Sequence, residues 1–122
     1  GGMKRFGVGE VNLKAIAALR PLLEGLRRRD LRACEQLMRA LTSSALAMGR
    51  ADYRDPRERR THLLAAVAST GEARALLKMF VEWGYCAPGR VLAAERLLDQ
   101  MLSMLSAELS SRTTWKQRLR AA

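Results

Sequence analysis

The chain has 122 residues, enough for one hydrophobic core but not two. Apolar residues make up 48% and aromatics only 5%, a balance rich in Ala and Leu that suits helices better than strands. A formal net charge of +10, from 22 Lys+Arg against 12 Asp+Glu, points to polyanionic partners: nucleic acid, an acidic protein surface or anionic lipid.

No apolar run is long enough for a transmembrane segment, and no signal peptide is visible, so the expected compartment is the cytoplasm. Gly1-Gly2 ahead of Met3 reads as a tag scar, and residues 1–11 are expected to form a flexible N-terminus before a bundle over 12–111. An Arg-rich genome would raise the arginine count by itself, since 18 of the basic residues are Arg. It would not suppress the acids.

Periodicity predicts four helices. The first runs from about Leu13 to Arg28, with Ile16, Leu19, Leu23 and Leu26 on one face, Asn12 as N-cap and a kink at Pro21. The second starts at an Asp30 N-cap, carries a seam of Leu31, Cys34, Met38, Leu41, Ala45 and Met48, and ends at Gly49. The short link between them implies an antiparallel hairpin. Asp55-Pro56-Arg57-Glu58 is the strongest start signal, an N-cap Asp, a Pro at the first helical position and a Glu three residues on. That third helix should run to about Trp83 and stop at Gly84, burying Leu63, Ala66, Thr70, Ala73, Leu77 and Phe80, and its small middle, with Gly71 beside it, suggests close approach of a neighbouring backbone.

Pro88 opens the last helix, to about Ser110, where Leu97, Leu98, Met101, Leu102, Met104, Leu105 and Leu109 cover more than one stripe. So wide an arc suggests a second buried face, and Leu97, Met101, Leu102, Met104 and Leu105 are the expected oligomer interface. Residues 112–122 carry Arg112, Lys116, Arg118 and Arg120 without an acid and are expected to be a frayed basic tail. The fold class is therefore an all-α, up-down-up-down antiparallel four-helix bundle.

Chemistry by the protein itself is not expected. His62 is the single histidine and lies beside Arg59 and Arg60, which suits a surface residue better than a general base. The acids are scattered among arginines as helix-surface ion pairs, such as Glu58 with His62. Cys34 and Cys86 read as free thiols, and with one histidine a zinc site is not expected; no cofactor is. Trp83 and Tyr85, flanking Gly84, read as an aromatic clasp over a helix end. The candidate binding residues are cationic. One cluster is Arg27, Arg28, Arg29 and Arg32; a second is Arg50, Arg54, Arg57, Arg59 and Arg60, partly offset by Asp52, Asp55 and Glu58; the tail is the third. In an up-down bundle the first two clusters fall at opposite poles, and the tail leaves near the second. Few aromatics are on hand to stack on unpaired bases, Tyr53 and Trp115 being the best available, so sequence-specific reading of single strands is not expected.

Several stretches carry a resemblance to a known family. Arg28-Arg29-Asp30-Leu31, Glu35-Gln36-Leu37-Met38-Arg39-Ala40 and Ser43-Ser44-Ala45-Leu46-Ala47-Met48-Gly49-Arg50 resemble the bacterial four-helix-bundle proteins encoded in intervening sequences of 23S ribosomal RNA genes. Ala68-Ser69-Thr70-Gly71-Glu72 matches their small-residue patch, and Trp83-Gly84-Tyr85 matches their last turn. The resemblance covers about Leu19 to Leu109 and implies a ring of bundles, often a homopentamer. The same superfamily holds the accessory variability determinant of diversity-generating retroelements, so it further implies a basic scaffold that contacts a reverse transcriptase and its RNA. The chain departs from the family at Ala45-Leu46-Ala47-Met48-Gly49, where relatives have a polar Asn and Glu, so no role of those residues carries over. An oligomeric module recruiting an acidic protein partner, and a passenger protein of an rRNA insert, are the alternative readings.

Overall fold

The computed structural model describes residues 7–52 and 55–111. Four helices follow in order: α1 (Val8–Arg29), α2 (Leu31–Ala51), α3 (Pro56–Glu82) and α4 (Pro88–Ser110). Each packs on two neighbours, α1 on α2 and α4, and α3 on α2 and α4, which is the square cross-section of an antiparallel four-helix bundle. No strand occurs among the described residues.

α1 begins five residues before the expected start. Gly7 precedes it in a left-handed conformation (φ 66°), a region that a side chain would strain, and its carbonyl accepts the Val11 amide at 3.2 Å. Val8 and Val11 are core residues, so the chain is already packed within the stretch expected to be a flexible N-terminus. Leu13, the predicted first residue, is 65% exposed. Asn12 is no N-cap; it lies buried in the helix, and its Nδ2 donates to the Leu41 carbonyl of α2 at 3.3 Å. Pro21 sits on the exposed face, so α1 continues through it as one helix.

Asp30 alone links α1 to α2. It caps α2 as expected, accepting from the Ala33 amide at 3.0 Å. The buried stripe is displaced from the expected seam. Leu31 and Met38 are 53% and 42% exposed, while Ala33, Leu37, Ala40, Ser44, Ala47 and Ala51 are buried beside Cys34, Leu41 and Met48. Small side chains let two helices approach closely, and α2 buries alanines and Ser44 between Leu37, Leu41 and Met48, while Leu31, Met38 and Leu46 stay exposed. Gly49 does not end the helix, which continues in helical conformation to Ala51.

α3 follows its prediction closely. The Asp55 side chain accepts from the Arg57 and Glu58 amides at 2.9 and 3.0 Å, and Pro56 takes the first position. All six seam residues are buried, joined by Leu76. Thr70 gives its hydroxyl proton to the Ala66 carbonyl (2.7 Å), so the 2.8 Å contact with Ser44 of α2 has Ser44 as donor. The small middle of the seam, Ala66, Thr70 and Ala73, is buried with Thr70 against Ser44, whereas Gly71 beside it takes no part, since a Cβ there would meet nothing within 4 Å.

The end of α3 is a Schellman motif. Gly84 takes φ 76°, the Tyr85 amide donates to the Phe80 carbonyl at 2.8 Å, and the Gly84 amide donates to Val81 at 3.0 Å. The apolar contact that accompanies such a motif is Phe80 with Tyr85, ring centroids 6.0 Å apart.

α4 buries its wide apolar arc within the subunit, because it packs against both α1 and α3. Val91, Ala94, Leu98, Met101 and Leu105 are core, and Leu97, Met104 and Leu109 are half-buried against it. Met101 and Leu105 are fully buried and so offer no surface to another subunit, which corrects the expected interface. Large apolar residues that do reach solvent lie mostly on other helices, including Leu31, Met38 and Leu46 on α2 and Leu64 and Met79 on α3. None of the described helices is long and apolar enough to cross a membrane.

Candidate nucleic-acid interface

The antiparallel topology puts the α1–α2 and α3–α4 links at one pole and the α2–α3 link at the other. The poles use their arginines differently.

At the second pole the cluster is partly consumed by the fold. The Arg59 guanidinium donates to the Ala51 carbonyl at 3.3 Å and pairs with Glu108 at 2.9 Å, its side chain only 11% exposed. Arg60 donates to the Leu109 carbonyl at 3.2 Å. Both arginines tie the start of α3 to the end of α4, the place where the tail was expected to leave. Arg50 and Arg57 stay exposed. Arg54, Arg112, Lys116, Arg118 and Arg120 lie outside the described residues, as do Tyr53 and Trp115. Arg74 of α3 pairs across helices, with Glu95 and, at 2.8 Å, with Asp99, both on α4. His62 is half-buried near the start of α3.

At the first pole Arg27, Arg28 and Arg29 form the last turn of α1 and Arg32 lies in the first turn of α2, all four exposed. Cations at a helix C-terminus are favoured by its dipole, which helps explain three arginines there. None of Arg27, Arg28 or Arg32 makes an ion pair among the described residues. The nearest acid in sequence, Asp30, acts electrostatically with Arg32 and offsets part of the cluster's charge, while its hydrogen bonds go elsewhere. Its carboxylate takes the Ala33 amide and, at 2.7 Å, the Tyr85 hydroxyl. Tyr85 in turn carries the Arg29 guanidinium 5.2 Å over its ring and the Trp83 ring 5.7 Å away, edge to face. The sequence reading of a clasp is right, and the structure adds what it clasps: the turn of the other hairpin.

The Asp30–Tyr85 bond shifts both groups. The Ala33 amide and then the Tyr85 hydroxyl hold Asp30 below the usual carboxylate range. The bond to Asp30, then burial, pushes the Tyr85 phenol above its ordinary value. An acid with a depressed folded value stabilises the fold above its unfolded value, about 4, and loses that contribution as pH falls. A phenol with a raised value contributes below about 10 and loses it as pH rises. Tyr85→Phe is therefore expected to move the Asp30 carboxyl back up toward the ordinary range in an NMR titration, whereas an unmoved Asp30 would show the bond to be unimportant in solution.

A groove of about 480 Å³ adjoins the cluster, lined by Arg20, Leu23, Glu24, Arg27, Arg28, Cys34 and Met38. Cys34 and Cys86 are free thiols; Cys34 is buried with its Sγ 3.6 Å from the Leu23 carbonyl, and burial pushes the Cys86 thiol up, away from the reactive thiolate. No cluster of metal-ligating side chains is gathered among the described residues.

Sequence reasoning missed two residues of this pole. Arg90, exposed in the first turn of α4, is close enough to Cys86 to act on it electrostatically. Trp83, set aside as part of the clasp, is 56% exposed. Its signal was available, because an aromatic just before a helix-ending glycine lies at the bundle's end.

Fold and site together define an antiparallel four-helix bundle in which, among the described residues, four exposed arginines gather at the pole formed by the α1–α2 link. Comparison with protein-family models, curated proteins and solved structures gives no match.

Proposed function

We propose that this protein is a basic four-helix-bundle scaffold that binds nucleic acid through phosphate contacts, without reading sequence. The carrying observation is the first pole, where Arg27, Arg28 and Arg32 face solvent without an ion pair among the described residues, Arg32 being partly offset by the nearby Asp30 charge. Guanidinium groups so placed hold phosphates and fix orientation, but carry no base information. The resemblance to the intervening-sequence and retroelement accessory proteins supports a concrete form, a homo-oligomer that holds a reverse transcriptase and its RNA. A ring would multiply weak phosphate contacts into avidity, and light scattering of the free protein reports the subunit number.

Fluorescence anisotropy on mixed-sequence RNA and DNA across a salt series tests the proposal. The expected result is binding of both, with log affinity falling linearly in log salt by roughly 0.7–0.9 per phosphate engaged. Replacing Arg27, Arg28, Arg29 and Arg32 by Gln should flatten that slope and weaken binding, while Arg50→Gln with Arg57→Gln should change it less. No binding at physiological salt ends the proposal. The groove lined by Leu23, Cys34 and Met38 and by three arginines, Arg20, Arg27 and Arg28, against one acid, Glu24, favours a second reading, capture of an acidic amphipathic peptide. Binding of such a peptide with no nucleic-acid affinity would select it.

A further inference from the structure

We infer that Trp83 is a stacking platform for an unpaired base, so that the arginine pole prefers single-stranded over double-stranded nucleic acid. The inference rests on the reading above and deepens it by naming the substrate class.

Three observations carry it. Trp83 is 56% exposed, whereas the other aromatics of the described residues are spent on the fold, Phe80 in the core and Tyr85 in the clasp. The position of Trp83 is nevertheless fixed. Its amide donates to the Met79 carbonyl at 2.9 Å, the left-handed Gly84 follows it, and its ring meets Tyr85 edge to face at 5.7 Å. Tyr85 is itself locked to Asp30 at 2.7 Å. A pre-placed indole loses little conformational entropy when a base stacks on it.

The third observation is charge. Tyr85 places Trp83 and the Arg29 guanidinium on the same small patch, and Arg27, Arg28 and Arg32 are exposed in the adjoining turns of the α1–α2 hairpin. Glu82, next to Trp83, and Asp30, bonded to Tyr85, are acids in the same stretch; the four arginines of the pole outnumber them. Aromatic platforms beside backbone-tracking cations are how proteins hold single strands without sequence preference, since every base has a π-face. A duplex keeps its bases stacked on each other and can use only the cations. An exposed tryptophan could also anchor another protein, but an exposed cluster in which arginines outnumber carboxylates favours the phosphate chain.

The experiment uses the full chain with Trp115→Phe, which leaves Trp83 the sole indole. Its fluorescence is followed while a dT oligonucleotide, and separately a duplex of equal length, is added at matched salt. The expected result is saturable quenching by the single strand. Trp83→Leu, with unchanged thermal unfolding, should then weaken single-strand binding on the order of tenfold and leave duplex binding nearly unchanged. Binding of the single strand without quenching, or equal loss for both forms in Trp83→Leu, overturns this inference and leaves phosphate binding standing. Shielding of Trp83 on raising protein concentration without nucleic acid overturns it in favour of a protein contact. No binding of either form removes the functional proposal and this inference together.

Discussion

Truncation of Phe80 to alanine lowers the unfolding free energy by about 3–5 kcal/mol, the usual cost of deleting a buried phenyl ring. Phe80 is fully buried and among the largest side chains in the core. For a domain this size that loss shifts the thermal midpoint down by on the order of 15 °C, out of a total stability of only about 5–15 kcal/mol. Bundle cores collapse poorly around such a hole because their helices are rigid and the neighbouring side chains occupy fixed rotamers. The effect also reaches the basic pole. Phe80 supports Tyr85 twice, through its ring at 6.0 Å and through its carbonyl, which accepts the Tyr85 amide at 2.8 Å. Only the ring is lost in the variant, so the Schellman turn persists while Tyr85 loses its backing. The Asp30–Tyr85 bond should then weaken, and Asp30 should titrate closer to an ordinary carboxyl. Phe80→Leu, which keeps most of the volume, should recover most of the stability. A fall of only a few degrees for the alanine variant would mean that Phe80 is not a core residue in solution.

How far the sequence could be read depended on whether the signal was local. α3 was legible because its start and stop are short-range chemistry. Asp55 reaches amides two and three residues on, and Gly84 supplies the left-handed residue that ends the helix. The α2 face was misread because a heptad traced through Leu31 and Met38 follows bulk, whereas the bundle buries the neighbouring alanines and Ser44. Asn12 looked like a cap because it is polar near an expected helix start. Its partner, the Leu41 carbonyl, lies on another helix and is invisible to a local reading.

The binding residues divide in the same way. Clustering of Arg27, Arg28, Arg29 and Arg32 is written in consecutive positions and survives as an exposed group. Arg59 and Arg60 cluster equally well in sequence, yet the fold uses them to hold Glu108 and Leu109, nearly fifty positions away. Charge runs therefore predict location better than availability. An arginine is free for a ligand only if no element packed beside it presents an acceptor, and that depends on which helix ends meet.

Asn12→Asp provides the sharpest test of the buried polar layer that α1 and α2 share. Asn12 is 1% exposed; its Nδ2 donates to Leu41, and its Oδ1 has no partner among the described residues. An aspartate here cannot donate when ionised, so a carboxylate oxygen would face the Leu41 carbonyl in a dry site. Leaving such a charge uncompensated costs about 3–5 kcal/mol at neutral pH. Burial raises the carboxyl's folded value above its unfolded value of about 4, so between the two the folded state binds more protons than the unfolded. Stability of the variant thus falls as pH rises through that window and returns as pH falls, when the protonated acid can donate to Leu41. Denaturant melts of variant and parent at pH 5 and pH 7 isolate the effect, because the Asp30 contribution is common to both and cancels. Asn12→Leu loses the bond but also removes the unpartnered Oδ1, so its change should stay within about 1.5 kcal/mol of the parent in either direction. A pH-independent gap for Asn12→Asp, or none at neutral pH, would place residue 12 in contact with water and require α1 to pack differently from α2 at this level.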